Sequence, residues 1–200
     1  PDPVQLNELM HRMVAAGCSY CFMEVSSHSL DQKRISGLNF KGAVFTNLTH
    51  DHLDYHKTFD NYFRAKKSFF DLLDNNAFAL VNADDKKSKE ILTHCKANKK
   101  TYAMKSPADF KVRMLESHFH GSLLNIDNRE LWVNLIGEFN AYNILAVYGA
   151  AVLLGGDKEE ILKHISAFRE VRGRFQTIRS SNGTTGIVDY AHTPDAVDNV

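Results

Sequence analysis

The stretch that decides the fold is residues 42–82, GAVFTNLTHDHLDYHKTFDNYFRAKKSFFDLLDNNAFALVN. It opens with one apolar run, Gly42–Asn47, and closes with another, Ala77–Asn82, each of the length and composition of a buried strand. Between them, residues 60–73 carry apolar side chains at helical spacing. A strand, a helix and a second strand in this order predict neighbouring parallel strands joined by a helical crossover.

Further elements are predicted on both sides of this stretch. Upstream, Asp2 caps a helix that ends at Gly17, and Cys21–Ser26 is predicted to be a short buried strand. Downstream, the predicted elements are a helix at 85–97, a strand at 101–104, a β meander at 111–116, 123–127 and 131–136 with turns at Gly121 and Asn128, helices at 137–154 and 157–168, and strands at 175–179 and 187–190 with an Asn182-Gly183 turn. The fold class predicted is α/β, with a mostly parallel central sheet flanked by helices and a small antiparallel β meander.

Composition limits the classes of function. The chain has 200 residues, 24 of them basic and 24 acidic, and 44% are hydrophobic, as in ordinary globular proteins. Zero net charge argues against a general nucleic-acid or membrane-surface binder. No apolar run approaches the ~18–20 residues of a membrane span. We therefore expect neither nucleic acid nor a membrane as a partner.

Three cysteines, Cys18, Cys21 and Cys95, are an odd number, which favours a reducing compartment over a disulfide framework. A single C-x-x-C pair is weak as a zinc motif, and we expect Cys18 and Cys21 to be buried where a loop enters the strand. The opening Pro-Asp-Pro contains neither an initiator Met nor an apolar signal stretch, so an internal segment of a longer chain is expected.

Histidines and carboxylates concentrate after the first strand of the deciding stretch, where residues 49–56 read THDHLDYH. Loops at the carboxyl ends of parallel strands are where ligands bind. His and carboxylate side chains together suit Mg²⁺, Mn²⁺ or Zn²⁺. The pattern predicts a metal site here, with a solvated polar loop as the alternative.

Glu24 lies between Met23 and Val25 in the predicted strand. A carboxylate in an apolar strand is costly unless it meets a cation or gathers hydrogen bonds. We therefore predict a metal or cationic partner for Glu24, and an exposed strand end is the plainer alternative.

Lys66 falls within the apolar stripe of the predicted helix, because positions 59, 63, 66, 70 and 73 recur at spacings of four and three. Its neighbour Lys67 points elsewhere. A lysine in such a stripe either extends its ammonium group to solvent or loses its proton through desolvation. The pattern alone favours the first outcome.

The sequence contains no phosphate-binding loop. Residues 183–186 read GTTG, but Ile187 takes the place of the lysine and strands flank the motif on both sides. The predicted helix that begins at Gly137 offers free backbone N–H groups to a polar ligand. Asn140 and Asn143 lie three residues apart on one face of that helix.

At these residues the sequence resembles the Mur ligases. The matching stretches are MEVSSHSLDQKRI (23–35), FTNLTHDHLDYHKTFDNYFRAKKSFF (45–70), LVNADD (80–85), GEFNAYNILA (137–146) and VDYAHTPDAV (188–197), in the order of the family. The EVSSH and DYAHTPDA stretches favour the branch that adds a diamino acid over the sister ligases and over the folylpolyglutamate synthetases.

The resemblance implies a three-domain ATP-dependent ligase of peptidoglycan precursor synthesis in the cytoplasm. Residues 1–190 would be the central ATP-binding domain without its N-terminal P-loop part, and residues 191–200 would begin the C-terminal amino-acid-binding domain. The implied partners are UDP-MurNAc-L-Ala-D-Glu, ATP, and either meso-diaminopimelate or L-lysine. ATP would phosphorylate the D-glutamate carboxylate, and the incoming amine would displace phosphate. Without the P-loop, this chain by itself is expected to be inactive.

The resemblance also implies the residues of the site. Glu24 and His52 would hold Mg²⁺, and Lys66 would be the catalytic residue, carrying carbon dioxide as a carbamate that also faces the metal. The contacts to the nucleotide-sugar dipeptide would be Ser26, Gln32 and Arg34. The contacts to ATP would be Asn140, Arg174, Asp189, Tyr190 and His192. The residues that shape the loop would be His50 and His56.

Two alternatives stay open. The pattern His50-x-His52-x-Asp54 approaches the metal motif of metallo-β-lactamase-like hydrolases, although Tyr55 displaces His56 by one position. The other alternative is a non-catalytic binding module of Mur-like fold, which the intact metal-ligand and lysine set argues against.

Overall fold

The computed structural model describes residues 2–49, 51–169 and 171–198. Its elements, in chain order, are α1 (Pro3–Ala15), α2 (Ser27–Asp31), β1 (Gly42–Phe45), α3 (Leu53–His56), α4 (Phe59–Asp71), β2 (Phe78–Asn82), α5 (Ser88–Ile91), β3 (Asn98–Ala103), β4 (Phe110–His118), β5 (Gly121–Ile126), β6 (Arg129–Val133), α6 (Glu138–Leu153), α7 (Lys158–Ser166), β7 (Gln176–Arg179), β8 (Thr185–Val188) and α8 (Pro194–Asp198).

Strands β1 to β6 form one sheet in sequence order, and β7 and β8 form a separate antiparallel hairpin. Bonds from the Asn98 N–H to the Ala77 carbonyl (3.0 Å) and from the Ala83 N–H to the Tyr102 carbonyl (2.8 Å) advance in the same direction along β2 and β3. Strand β3 also pairs in parallel with β4, with Tyr102 opposite Phe110, whereas β4, β5 and β6 form an antiparallel meander. The predicted fold class is confirmed.

Local signals placed several helices within a residue or two of their predicted ends. The Asp2 carboxylate accepts hydrogen bonds from the Val4 and Gln5 N–H groups at 2.9 and 3.0 Å, which caps α1. Asp157 caps α7 through the Glu160 N–H at 3.0 Å. Gly137 precedes α6 with a φ of 91°, a conformation that favours glycine.

The prediction of a buried strand at Cys21–Ser26 is wrong. Residues 18–26 form no helix or strand, and Cys18, Cys21 and Glu24 are exposed, so the expected burial of the two cysteines is also wrong. A strand forms only where a neighbour pairs with its backbone, which composition cannot reveal. The reason given for a cation at Glu24, its enclosure in an apolar strand, therefore does not hold.

The predicted helix at 85–97 is also largely wrong. Only Ser88–Ile91 is helical, and turns occupy most of the remaining residues. Asp85 accepts a hydrogen bond from the Leu48 N–H at 3.0 Å and another from the Lys87 N–H at 2.7 Å. A carboxylate used in a local turn of this kind competes with helix formation. The meander strands begin and end a few residues from their predicted bounds, and Gly121 starts β5 after the turn.

The chain divides into two compact units. The first comprises Pro1–Ala43, His52–Ala79 and Glu90–Lys99, and the second comprises Val44–Asp51, Leu80–Lys89 and Lys100–Val200. In the first unit, α2 and α3 pack on α4, which buries Phe63 and Phe70. In the second unit, α6 packs on β4, and α7 packs on both α6 and β6.

Candidate functional site

In the first unit, α2, α3 and α4 bring five aromatic side chains into one group, here called the histidine–tyrosine cluster. Its members are His28, His52, Tyr55, His56 and Tyr62. The His28 ring centre lies 4.8 Å from that of His52, 4.2 Å from Tyr55 and 5.5 Å from His56. Tyr62 of α4 adds contacts at 5.9 Å to His52 and 5.5 Å to His56. The helices thus gather residues that are up to 34 positions apart in sequence, from 28 to 62.

His52 reaches this cluster from an unusual backbone conformation. It precedes α3 with a φ of 54° and a ψ of 25°, in the left-handed region that non-glycine residues seldom occupy. Residues held in this region concentrate at functional sites, where the surrounding structure enforces them. His52 is thus a candidate functional residue on conformation as well as on sequence.

His56 is the buried member of the cluster, with 6% of its surface exposed. Its Nε2 lies 2.9 Å from Ser27 Oγ, and Ser27 is fully buried. Burial lowers the pKa of His56, and the neighbouring His28 lowers it further. These contacts suit the loop-shaping role expected for His56, whereas His50 lies outside the described residues.

Lys66 lies on α4 where the stripe predicts it. Its Nζ is 5.5 Å from the centre of the Tyr62 ring, and the residue is half-buried. Lys67 instead pairs with Asp71 through a 2.6 Å contact one helical turn away. The two adjacent lysines therefore have different surroundings, since Lys66 contacts a member of the histidine–tyrosine cluster and Lys67 pairs with Asp71.

Glu24 is exposed on the irregular segment that precedes α2. Within residues 2–49, 51–169 and 171–198, no three His, Cys, Asp or Glu side chains are grouped as ligands for a metal ion. The predicted set holds two such residues and a lysine, so this observation does not test it. Mg²⁺ ligation by Glu24 and His52 stays a prediction.

The three predicted substrate residues lie together on α2 and the turn that follows it. Ser26 caps α2, because its Oγ accepts the Ser29 N–H at 3.2 Å. The Gln32 side-chain amide donates to the Tyr55 hydroxyl at 3.2 Å, and that hydroxyl donates to Asp31 at 2.7 Å. The backbone of Arg34 returns to Ser29, with its N–H 2.8 Å from the Ser29 carbonyl oxygen. Sequence reasoning missed Tyr55 and Ser27 as links between these helices.

In the second unit, the start of α6 holds the predicted asparagine. The Asn140 amide donates to the Ile136 carbonyl at 2.8 Å, and the Asn143 amide lies 3.5 Å from the Asn140 side-chain oxygen. The expectation that the two asparagines share one face is confirmed. Phe139, beside Asn140, contacts Phe175 with ring centres 5.5 Å apart.

The remaining predicted ATP residues lie around the hairpin of β7 and β8. Arg174 lies over the Tyr190 ring, with its guanidinium carbon 5.3 Å from the ring centre, and the rings of Tyr190 and His192 are 5.0 Å apart. The Asp189 carboxylate accepts the Phe175 and Ala191 N–H groups, both at 2.6 Å. Arg174, Asp189, Tyr190 and His192 are therefore neighbours in space. Phe175 brings them next to the start of α6.

Asp84 organises this second unit and was not singled out by sequence reasoning. Its carboxylate accepts the N–H groups of residues 104, 105 and 106 at 2.7–2.9 Å and the Tyr142 hydroxyl at 2.7 Å. Burial by itself would raise the pKa of Asp84, but hydrogen bonds led by that from Ser106 hold it well below the ordinary value. Burial raises the pKa of Tyr142, and the hydrogen bond from its hydroxyl to Asp84 raises it further. The NADD motif thus fixes the first turns of α6.

The sequence is similar to known proteins along its whole length. Residues 1–151 match the family model described as Mur ligase middle domain. Along all 200 residues the chain is 62% identical to a protein of Parabacteroides distasonis and 58% identical to one of Bacteroides fragilis, each named UDP-N-acetylmuramoyl-L-alanyl-D-glutamate--2,6-diaminopimelate ligase. Each match includes the whole of this chain but only 41% of the relative, so the chain spans about two fifths of the relatives' length.

A solved structure of a protein with the same name superposes on 98% of this chain, over 42% of its own length, with a TM-score of 0.83 and 31% identity. Among the helices of the described residues, none combines the length and the hydropathy that crossing a membrane requires.

Proposed function

The chain belongs to the Mur ligase family, and from that premise we propose that it forms the central part of an ATP-dependent ligase that adds diaminopimelate to UDP-MurNAc-L-Ala-D-Glu. The observation that carries the proposal is the match along all 200 residues to ligases named for that reaction. Their names favour diaminopimelate over L-lysine. The reaction belongs to peptidoglycan precursor synthesis, and we place it in the cytoplasm.

The proposed reaction has two chemical steps, and it needs residues that bind the dipeptide substrate as well as residues that bind ATP. The D-glutamate carboxylate attacks the γ-phosphorus of ATP, which forms an acyl phosphate and releases ADP. The amine of diaminopimelate then attacks the acyl carbon, phosphate leaves with the bonding electrons, and the amine loses a proton. Both phosphoryl donor and acceptor are anions, so binding and charge compensation dominate the barrier.

For the nucleotide-sugar dipeptide, the proposed contacts are Ser26, Gln32 and Arg34. Their grouping on α2 and its following turn supports this assignment, since one short segment presents a hydroxyl, an amide and a guanidinium. Guanidinium groups suit carboxylate and phosphate oxygens. Tyr55 orients Gln32 through the 3.2 Å hydrogen bond.

For the metal, the proposed residues are Glu24, His52 and Lys66. The Tyr62 ring contacts both His52 and Lys66, which supports their use in one site. The Glu24 carboxylate and a carbamate on Lys66 would offer the oxygen ligands that Mg²⁺ prefers. Bound Mg²⁺ would offset the repulsion between the ATP phosphates and the substrate carboxylate. The proposal requires that the exposed Glu24 side chain reach the same metal ion as His52 and Lys66.

Lys66 is the proposed site of the carbamate. Its neutral amine would attack carbon dioxide and lose a proton, which converts a cation into an anion on α4. The position of Lys66 supports this assignment, because the residue is half-buried on α4 and its Nζ lies 5.5 Å from the centre of the Tyr62 ring that His52 also contacts.

For ATP, the proposed contacts are Asn140, Arg174, Asp189, Tyr190 and His192. The contact between Phe139 and Phe175 supports one nucleotide site, because it joins the start of α6 to the segment that carries Arg174. Arg174 supplies positive charge for phosphate oxygens, and Asn140 an amide for a polar edge. We further propose that residues 1–190 belong to the central domain and residues 191–200 to the next.

The test is ligation by the full-length protein that contains this sequence. With UDP-MurNAc-L-Ala-D-Glu and ATP present, labelled diaminopimelate should enter the nucleotide product with one ADP released per bond, and L-lysine should react much more slowly. Reaction with L-lysine alone would contradict the choice of amino acid. No ligation of either amino acid by folded protein would contradict the proposed function.

The two alternatives have less support. A metallo-β-lactamase-like hydrolase would need several His and Asp ligands around one ion, and no three His, Cys, Asp or Glu side chains are grouped in this way among the residues that the structure describes. A non-catalytic module would bind the nucleotide substrate without releasing ADP. The ligation assay separates this outcome from the proposed function.

A further inference from the structure

The hydrogen bond between His56 and Ser27 is a buried polar contact that neither proposed binding nor proposed chemistry uses directly. The Ser27 side chain is fully enclosed and His56 is 6% exposed, so neither is placed to touch a bound substrate. Their side-chain atoms are 2.9 Å apart. A buried polar pair is costly unless its members satisfy each other, and a satisfied pair fixes one geometry.

The backbone of His56 is held as firmly as its ring. Its carbonyl oxygen accepts the Asn61 side-chain amide at 3.0 Å and the Thr58 N–H at 2.8 Å. Thr58 caps α4, so His56 is tied to the start of that helix. The ring also contacts Tyr62, one turn further along α4. His56 therefore has a fixed position relative to the helix that carries Lys66.

Ser27 lies on the opposite side of this contact. It is the first residue of α2 and adjoins Ser26, whose hydroxyl caps the helix. A shift of Ser27 would move Ser26 and the α2 backbone with it. The hydrogen bond thus connects the segment of proposed substrate contacts to the helix of the proposed carbamate.

On the basis of the proposed function, we propose that His56 is a positioning residue, which through Ser27 sets α2 at the distance from α4 that the nucleotide-sugar dipeptide requires. Its contribution is made through Ser26 and the following residues, not by contact with substrate. Loss of the pair should therefore weaken binding of the dipeptide substrate and leave ATP binding unchanged, because the proposed ATP contacts lie in the second unit.

The experiment compares His56→Leu, Ser27→Ala, the double variant and His56→Gln in the full-length protein. His56→Leu and Ser27→Ala should each raise KM for UDP-MurNAc-L-Ala-D-Glu about tenfold, with KM for ATP changed less than about twofold. The double variant should be no worse than either single variant, because both remove one interaction. His56→Gln keeps a polar group of similar reach and should recover most of the affinity. His94→Leu, at an exposed histidine of the same unit, is the matched control.

Other outcomes would overturn the role of His56. An unchanged KM for the dipeptide substrate, equal rises in both KM values, or multiplicative effects in the double variant would each contradict positioning through Ser27. Thermal unfolding of each variant shows whether a lower apparent kcat reflects loss of folded protein, which leaves both KM values unchanged. Absence of ligation in the unmodified protein would instead contradict the proposed function, so the two failures are distinguishable.

Discussion

The Lys66 Nζ lies 5.5 Å from the centre of the Tyr62 ring, on the same helix and one turn away. His52 contacts that ring as well, with ring centres 5.9 Å apart. Tyr62 is itself buried, so it provides a fixed surface against which both functional candidates pack. The lysine and the histidine are therefore located by one shared neighbour.

Lys66→Ala should lower the ligation rate about 10²–10³-fold, the range for removal of a group that stabilises developing charge. Short carboxylates such as formate or acetate should restore part of the activity, because they replace the lost anion. Mass spectrometry under mild conditions should find one added carbon dioxide on Lys66 and none on the variant. Lys67→Ala, which removes the pair with Asp71, is the control and should stay within about twofold of the parent. Wild-type turnover in Lys66→Ala would refute the carbamate role.

Asp84→Asn should destabilise the chain by about 2 kcal/mol, because it weakens four hydrogen bonds to a charged acceptor. Urea unfolding measures the change. Asp60→Asn, at an exposed ion pair with Arg64, is the control and should cost less than about 0.5 kcal/mol. Equal losses in the two variants would contradict the organising role of Asp84.

Lowering the pH should remove the contribution of Asp84 to the free energy of unfolding. The pKa of Asp84 is lowered in the folded state, so its contribution is present above the unfolded pKa of about 3.9 and is lost as pH falls toward the folded value. The stability difference between the parent and Asp84→Asn should therefore shrink as the pH is lowered below about 4. A difference that grows with acidification would show that the sign is wrong.

Asp189→Ala should raise KM for ATP about tenfold and leave KM for the dipeptide substrate unchanged. The Asp189 carboxylate holds the Phe175 and Ala191 N–H groups, so its loss frees the segment next to Arg174. Steady-state kinetics with each substrate varied in turn provide the measurement. Asp198→Ala, at an exposed position of α8, is the control. An altered KM for the dipeptide alone would contradict the assignment of this hairpin to ATP.

Gly42→Ala should destabilise the first unit by about 1–3 kcal/mol, the range for overpacking a core. A methyl group at Gly42 would overlap the ring of Phe78. Gly186→Ala is the control, because the nearest atom to its added carbon is 3.9 Å away and its φ is not positive. Denaturant unfolding should therefore separate the two variants, and equal midpoints would refute the steric explanation.

Helix α4 illustrates what local pattern predicts well. Its stripe placed Phe63 and Phe70 in the core and Lys66 between them, because side chains three and four residues apart share a helix face in any fold. Capping by Asp2 and Asp157 is equally local, since the carboxylate and the N–H groups it binds are within three residues.

Segment 21–26 illustrates where pattern fails. Its apolar residues resemble those of β2, yet it forms no strand and exposes Glu24. The two segments differ in whether a neighbouring strand pairs with them, which depends on distant parts of the chain. The metal prediction at Glu24 rested on that burial and now rests on family membership alone.

By itself, the sequence determined the alternation of strands and helices, the helix face that holds Lys66 and the membership in the Mur ligase family, because each depends on residue order or on short-range spacing. Only the tertiary structure decided that Ser27 meets His56, that Tyr62 lies against both His52 and Lys66, and that Asp84 fixes the start of α6. Such contacts join residues separated by many positions, and they form only when packing of the helices and strands brings the side chains together.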